Sequence, residues 1–322
     1  MLDTLTRRLV ARLAAALLAT LAAAPSARAC SVCGCGDPLL TASDPAAITG
    51  ALRLQLDVDH LRVDAGTDGQ PGSTDELAQT SYRLNAVWRP LDTLSLSATL
   101  PLVSKQIVTS APSGRTTASD QTGLGDAELA MRWAAWRSVQ LGARRVNELA
   151  VTGGTALPTG RKDARDGGGA LVDPHGQLGT GGWGPFAGLA YRFEQGDATA
   201  SAAVSYRLRT EASYFDGSRY KFGDAVLYSL HGQYRLWPRL AVDLGLDGRT
   251  AQADRATGAD GTVTTQVGNT GGTVLAAAPG VYVDVAGGAW LFVRAQVPFQ
   301  KRLRGAQDVL PSFSAGLQYQ LP

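Results

Sequence analysis

SYRLNAVWRPLDTLSLSATLPLV, residues 81–103, is the stretch whose reading decides the fold. Its first arm places Tyr82, Leu84, Ala86 and Trp88 against Ser81, Arg83, Asn85 and Arg89. Its second arm places Leu94, Leu96, Ala98, Leu100 and Leu102 against Ser95, Ser97 and Thr99. A period of two is the signature of strands with one apolar and one polar face. Pro90-Leu91-Asp92-Thr93 stands between the arms, and proline removes a ladder donor and fixes φ, so the chain turns there. The stretch is an antiparallel hairpin.

The same alternation recurs along the chain. Before the hairpin, Leu52, Leu54, Leu56 and Val58 oppose Arg53, Gln55, Asp57 and Asp59. After it come runs near 126–135, 146–157, 187–193, 202–209, 228–236, 240–247, 281–285, 289–302 and 311–321, which with the hairpin arms makes twelve. The run at 146–157 is the least regular, and Gly153-Gly154 there would permit a bulge or kink.

The gaps between runs alternate in length. Those after odd-numbered runs are long and polar (64–78, 104–122, 158–180, 210–221, 252–271, and a shorter one at 303–308). Those after even-numbered runs are tight, the exception being 136–145. Outer-membrane barrels have this parity: an even strand count, short periplasmic turns and long external loops. A bilayer satisfies no backbone hydrogen bonds, so a sheet enters it only as a closed barrel. The expected fold is therefore all-β, a transmembrane antiparallel barrel of about twelve strands over residues 51–322, with apolar faces toward lipid and polar faces toward the lumen. Tyr82, Trp88, Trp133, Tyr191, Phe193, Tyr234, Trp237 and Tyr319 lie near run ends, where amphipathic rings suit the membrane interface.

Residues 1–29 read as a cleaved signal peptide: Arg7, Arg8 and Arg12, then the apolar run Leu13–Ala24, then the small-x-small ending before Cys30. That run of 12 residues falls short of the roughly 20 needed to span a bilayer. The expected location is the bacterial outer membrane. Residues 30–50 form a cysteine-containing periplasmic or plug-like segment. A net charge of +2 argues against nucleic acid as a partner.

Several motifs occur in an order that resembles the outer-membrane family of MetA-pathway phenol-degradation transporters. They are Gly123-Leu124-Gly125-Asp126, Leu157-Pro158-Thr159-Gly160, Gly179-Thr180-Gly181-Gly182-Trp183-Gly184-Pro185, and Val297-Pro298-Phe299-Gln300 with Gly305. The resemblance implies a barrel with a transport role and brings no catalytic residues.

The lumen-facing residues expected from the alternation are Arg53, Asp57, Arg83, Glu128, Arg132, Arg192, Arg207, His231, Arg235, Asp243 and Asp247, with Asp59, Arg209, Arg249, Asp284 and Arg294 in the same register. They either line a polar conduit or pair across a lumen too narrow for solutes. His60, His175 and His231 stand in no His-x-Ser arrangement and read as loop or lumen residues, so an outer-membrane hydrolase is the weaker reading and no enzyme is expected. Cys30, Cys33 and Cys35 form the one thiol cluster: three sulfurs at such spacing suit a soft ion, copper or zinc, or exchange with a periplasmic redox or metal protein, against an oxidised Cys-x-x-Cys pair. The expected function is passage or uptake of small solutes, hydrophobic or aromatic by the resemblance, with barrel partnership to a periplasmic metal or electron-transfer protein as the alternative.

Overall fold

The computed structural model describes residues 51–66, 74–110, 116–165, 169 and 171–321. The strands are β1 (Leu52–Gly66), β2 (Thr74–Leu91), β3 (Leu94–Ser110), β4 (Thr116–Leu124), β5 (Glu128–Gln140), β6 (Arg145–Ala156), β7 (Gly184–Gln195), β8 (Ala198–Arg207), β9 (Ala212–Ser213), β10 (Arg219–Lys221), β11 (Ala225–Trp237), β12 (Leu240–Ala251), β13 (Arg255–Thr257), β14 (Val263–Thr264), β15 (Gly272–Ala286), β16 (Ala289–Leu303), β17 (Gln307–Val309) and β18 (Ser312–Leu321). β4 and β5 both pair with β3, and β17 and β18 both pair with β1, so each couple is one stave of the wall broken in the middle. β1 also pairs with β2 over its whole length, which closes the ring. The result is a twelve-stave antiparallel barrel.

The alternation decides which face is which. Leu54, Leu56, Leu84, Trp88, Leu244, Leu246, Val293 and Leu317 are exposed on the outer surface. Arg53, Asp57, Arg83, His231, Asp243, Asp247 and Arg294 are buried on the inner one. An exposed apolar belt with a buried polar interior inverts a soluble protein and is the arrangement a bilayer demands. The turns at residues 92–93, 141–144, 196–197, 238–239 and 287–288 are short and lie at one end, together with Leu52 and Leu321, which are register partners. By the rule for such barrels this is the periplasmic end.

Two local expectations are corrected. The segment 136–145 is not a long gap: β5 runs to Gln140 and β6 starts at Arg145. A register shift between Ala134 and Trp136 brings both Trp133 and Trp136 to the outside, which disguises the period of two. Conversely β6 holds its register through Gly153 and Gly154. Gly154 serves a neighbour instead, because a Cβ there would lie 2.6 Å from Cζ of Phe186, whose ring occupies that space inside the barrel. Two long loops, β8 to β11 and β12 to β15, together add a four-stranded sheet, β14-β13-β10-β9, at the extracellular end.

Candidate functional site: the lumen and its extracellular cover

The periplasmic part of the lumen is a cavity of about 650 Å³. Its wall takes Arg53, Gln55 and Asp57 from β1, Arg83, Asn85 and Arg89 from β2, Ser95, Ser97 and Thr99 from β3, Glu128 and Arg132 from β5, Arg192 from β7, Arg207 from β8 and Arg294 from β16. Eight arginines and five carboxylates line it in all, so positive charge prevails.

Most of these charges have partners close by, as burial requires. Arg83 donates to Asp57 through Nε at 2.8 Å and Nη2 at 2.6 Å, and also pairs with Asp59. Arg132 meets Glu148 at 2.6 Å, and Arg207 meets Glu128 at 2.6 Å while its guanidinium lies 4.4 Å from the Phe186 ring centroid. Arg192 pairs with Glu194. The pairs lie along the wall and leave open volume between them.

β11 and β12 build a denser patch. His231 lies directly across from Gly245, where an added Cβ would come within 2.2 Å of the imidazole, so only glycine leaves room for the ring. Asp243 and Asp247, one step to either side on the same inward face, reach Nδ1 at 2.9 Å and Nε2 at 3.0 Å. A ring with a carboxylate at each nitrogen satisfies both only with a proton on each. Gln296 donates to Asp247 at 2.6 Å, and Arg294 stands 3.7 Å from Asp243.

The placement of the predicted residues follows. Arg53, Asp57, Arg83, Arg207, His231, Asp243 and Asp247 are buried on the inner wall, and Glu128, Arg132 and Arg192 border the cavity. Arg235 keeps the inward parity but sits exposed near the periplasmic rim. His60 is neither loop nor lumen: it shares the outward face with Leu54 and Leu56 and hydrogen-bonds Thr80 Oγ1 at 3.0 Å. Cys30, Cys33 and Cys35 lie outside the described residues, as does the whole of 1–50. Among the described residues no group of three His, Cys, Asp or Glu is arranged to hold a metal ion.

The extracellular half of the lumen is filled by chain. Three of the glycine motifs meet on one carboxylate: buried Asp126, at the break between β4 and β5, accepts from Gly160 N at 2.9 Å and from Thr180 N and Oγ1 at 2.7 and 2.6 Å. Thr159 Oγ1 donates to Gly125 O at 2.9 Å and accepts from Ala127 N. Gly160 and Gly179 approach so closely that a Cβ on Gly179 would lie 2.6 Å from Gly160 Cα. The small residues of these motifs are therefore a close-packed knot at the barrel's upper rim. The fourth motif is elsewhere, at a register shift of β16 where Phe299 faces outward like Leu291 and Val293.

From this knot the segment 171–183 crosses the mouth. On one side it packs on the inner face of β3. Lys105, 2% exposed, donates through Nζ to the carbonyls of His175 at 3.1 Å and Gln177 at 2.6 Å, and Gly176 abuts Ile107. On the other side His175 Nε2 meets Asp254 Oδ2 at 2.8 Å and Tyr220 Oη at 3.1 Å, with Phe222 edge-on at 5.1 Å. Asp254 also accepts from Tyr220 Oη at 2.7 Å and Gly223 N at 2.7 Å. Burial by itself would raise the Asp254 carboxyl, but the bonds from His175, Tyr220 and Gly223 outweigh it and hold the group below its ordinary value. Lys105, Asp126 and Asp254 were not among the sequence candidates. Only Lys105 carried a signal, its inward parity on β3.

A closed twelve-stave wall, an apolar outer belt and a charged lumen define a transmembrane β-barrel of the outer-membrane type. The COG4313 outer membrane channel from Pseudomonas putida F1 is similar to it over 88% of this chain and 98% of that one, at TM-score 0.63 and 16% identity. The transport unit of the autotransporter AIDA-I from Escherichia coli is similar over 84% and 90%, at TM-score 0.50 and 8% identity. The sequence matches no family model and no curated protein. At these identities the likeness is one of fold.

Proposed function

We propose that this barrel is an outer-membrane channel for small polar solutes, with a preference for anions. The observation that carries the reading is the cavity of about 650 Å³ with eight arginines against five carboxylates in its wall. That volume corresponds to some 20 water molecules at ~30 Å³ each, enough for a small hydrated solute. Arginine-lined pores favour anions because the ring of charge offsets part of the hydration an anion gives up on entry. The channel described for the similar Pseudomonas putida barrel supports the transport part of the reading. The resemblance to phenol-degradation transporters points toward aromatic solutes, which the inward rings of Phe186, Tyr282 and Phe292 would accommodate provided the solute also carries a polar or anionic group.

The test is reconstitution of the folded barrel in planar bilayers under a potassium chloride gradient. A conductance with a reversal potential on the chloride side is expected. A folded, heat-modifiable barrel with neither conductance nor solute flux would overturn the reading.

A further inference from the structure

We propose that the segment 171–183 is a hinged lid over the extracellular mouth, pivoting at the Asp126 knot and latched on the opposite wall by His175 against Asp254. The inference rests on the channel reading above and adds how such a channel would be opened.

The geometry is that of a lid. In the ring of staves β1, β2, β3, β4/β5, β6, β7, β8, β11, β12, β15, β16 and β17/β18, β3 and β12 are six apart, so they face each other across the barrel. Lys105 belongs to β3 and Asp254 follows β12 by three residues, so 171–183 reaches from one wall to the other. The cavity stops beneath it: its uppermost lining on β3 is Thr99, while the lid rests on Lys105 and Ile107 further up the same strand.

Base and tip are held differently. At the base one carboxylate binds both feet of the loop, Gly160 and Thr180, and the staves themselves carry that carboxylate. The lid's middle is braced internally, by Gln177, 0% exposed, which bonds Ala164 and Val172 within the same loop. Such a unit keeps its own shape when it moves. The polar attachments between the tip and the far wall are side-chain bonds converging on Asp254.

The test uses the full-length protein with Cys30, Cys33 and Cys35 changed to Ser, carrying spin labels at Asp173→Cys on the lid and Gln266→Cys in the loop that follows β14, both exposed. Distances are measured with and without His175→Ala or Asp254→Asn, beside swelling rates of liposomes holding the same proteins. Expected is a short distance in the parent that gives way to a longer one in either latch variant, with swelling at least several-fold faster. A second arm uses Cys at positions 175 and 254, joined by a cleavable bis-maleimide: swelling should stop and return on cleavage. A single unchanged distance in parent and variants, or undiminished swelling with the cross-link in place, would overturn the lid. A distance that lengthens without any flux would sustain the lid and sink the channel reading instead.

Discussion

Asp254 and Asp126 do the most at the scale of single residues, each by gathering backbone and side-chain donors from segments far apart in sequence. For Asp254 this has a pH consequence. Its carboxyl is held below the ordinary 3.8, so its contribution is fully present above that value and is lost as pH falls through the lower folded value. His175, Tyr220, Arg209 and Arg249 are the ionisable groups around it. Amide exchange of the Gly223 peptide, corrected for intrinsic rates, should be flat from pH 7 to 5 and rise below 3.8. Asp254→Asn should exchange fast at every pH, and a wild-type profile in that variant would contradict the assignment.

Among elements, β12 shows how one strand serves two solvents. Leu244 points to lipid and Gly245, its neighbour, to the His231 ring. Leu244→Arg should cost about 2–4 kcal/mol by placing a cation on the lipid face near mid-belt. Gly245→Ala should cost roughly 1–3 kcal/mol for another reason, displacement of the imidazole from between Asp243 and Asp247. Urea unfolding in lipid, followed by heat-modifiable migration, separates them: thickening the apolar chains of the bilayer should worsen only the Leu244 variant. β3 changes character along its length in the same logic. Ser95, Ser97 and Thr99 face the open cavity, whereas Pro101 and Val103 pack by Gly125 and Ile107 by Gly176 of the lid, so apart from Lys105 the inner face turns apolar where chain replaces water.

For the whole molecule, the described residues leave open volume in the periplasmic part of the lumen and fill its extracellular part with chain, and the charge imbalance of the wall acts on whatever enters. Arg132 is a suitable probe because its side chain is about a third exposed, borders the cavity and sits against Glu148. Arg132→Gln should move the reversal potential toward cations while leaving heat-modifiable migration as it was. A shift toward anions would mean that the wall charge is not what selects.

Alternation and loop parity determined the architecture from the sequence alone, because a strand that faces lipid on one side and water on the other must write that asymmetry residue by residue. The inward register of Arg53, Asp57, Arg83 and His231 was legible for the same reason. The bulge at Ala134–Trp136 was not, since one inserted residue inverts the parity that carries the signal. Nor was the cover. Asp126 meets Thr180 and His175 meets Asp254 across separations of 54 and 79 residues, and no local period records such a meeting. Only closure of the ring, which sets β3 opposite β12, brought those segments together and decided which end of the lumen is filled by chain and which by open volume.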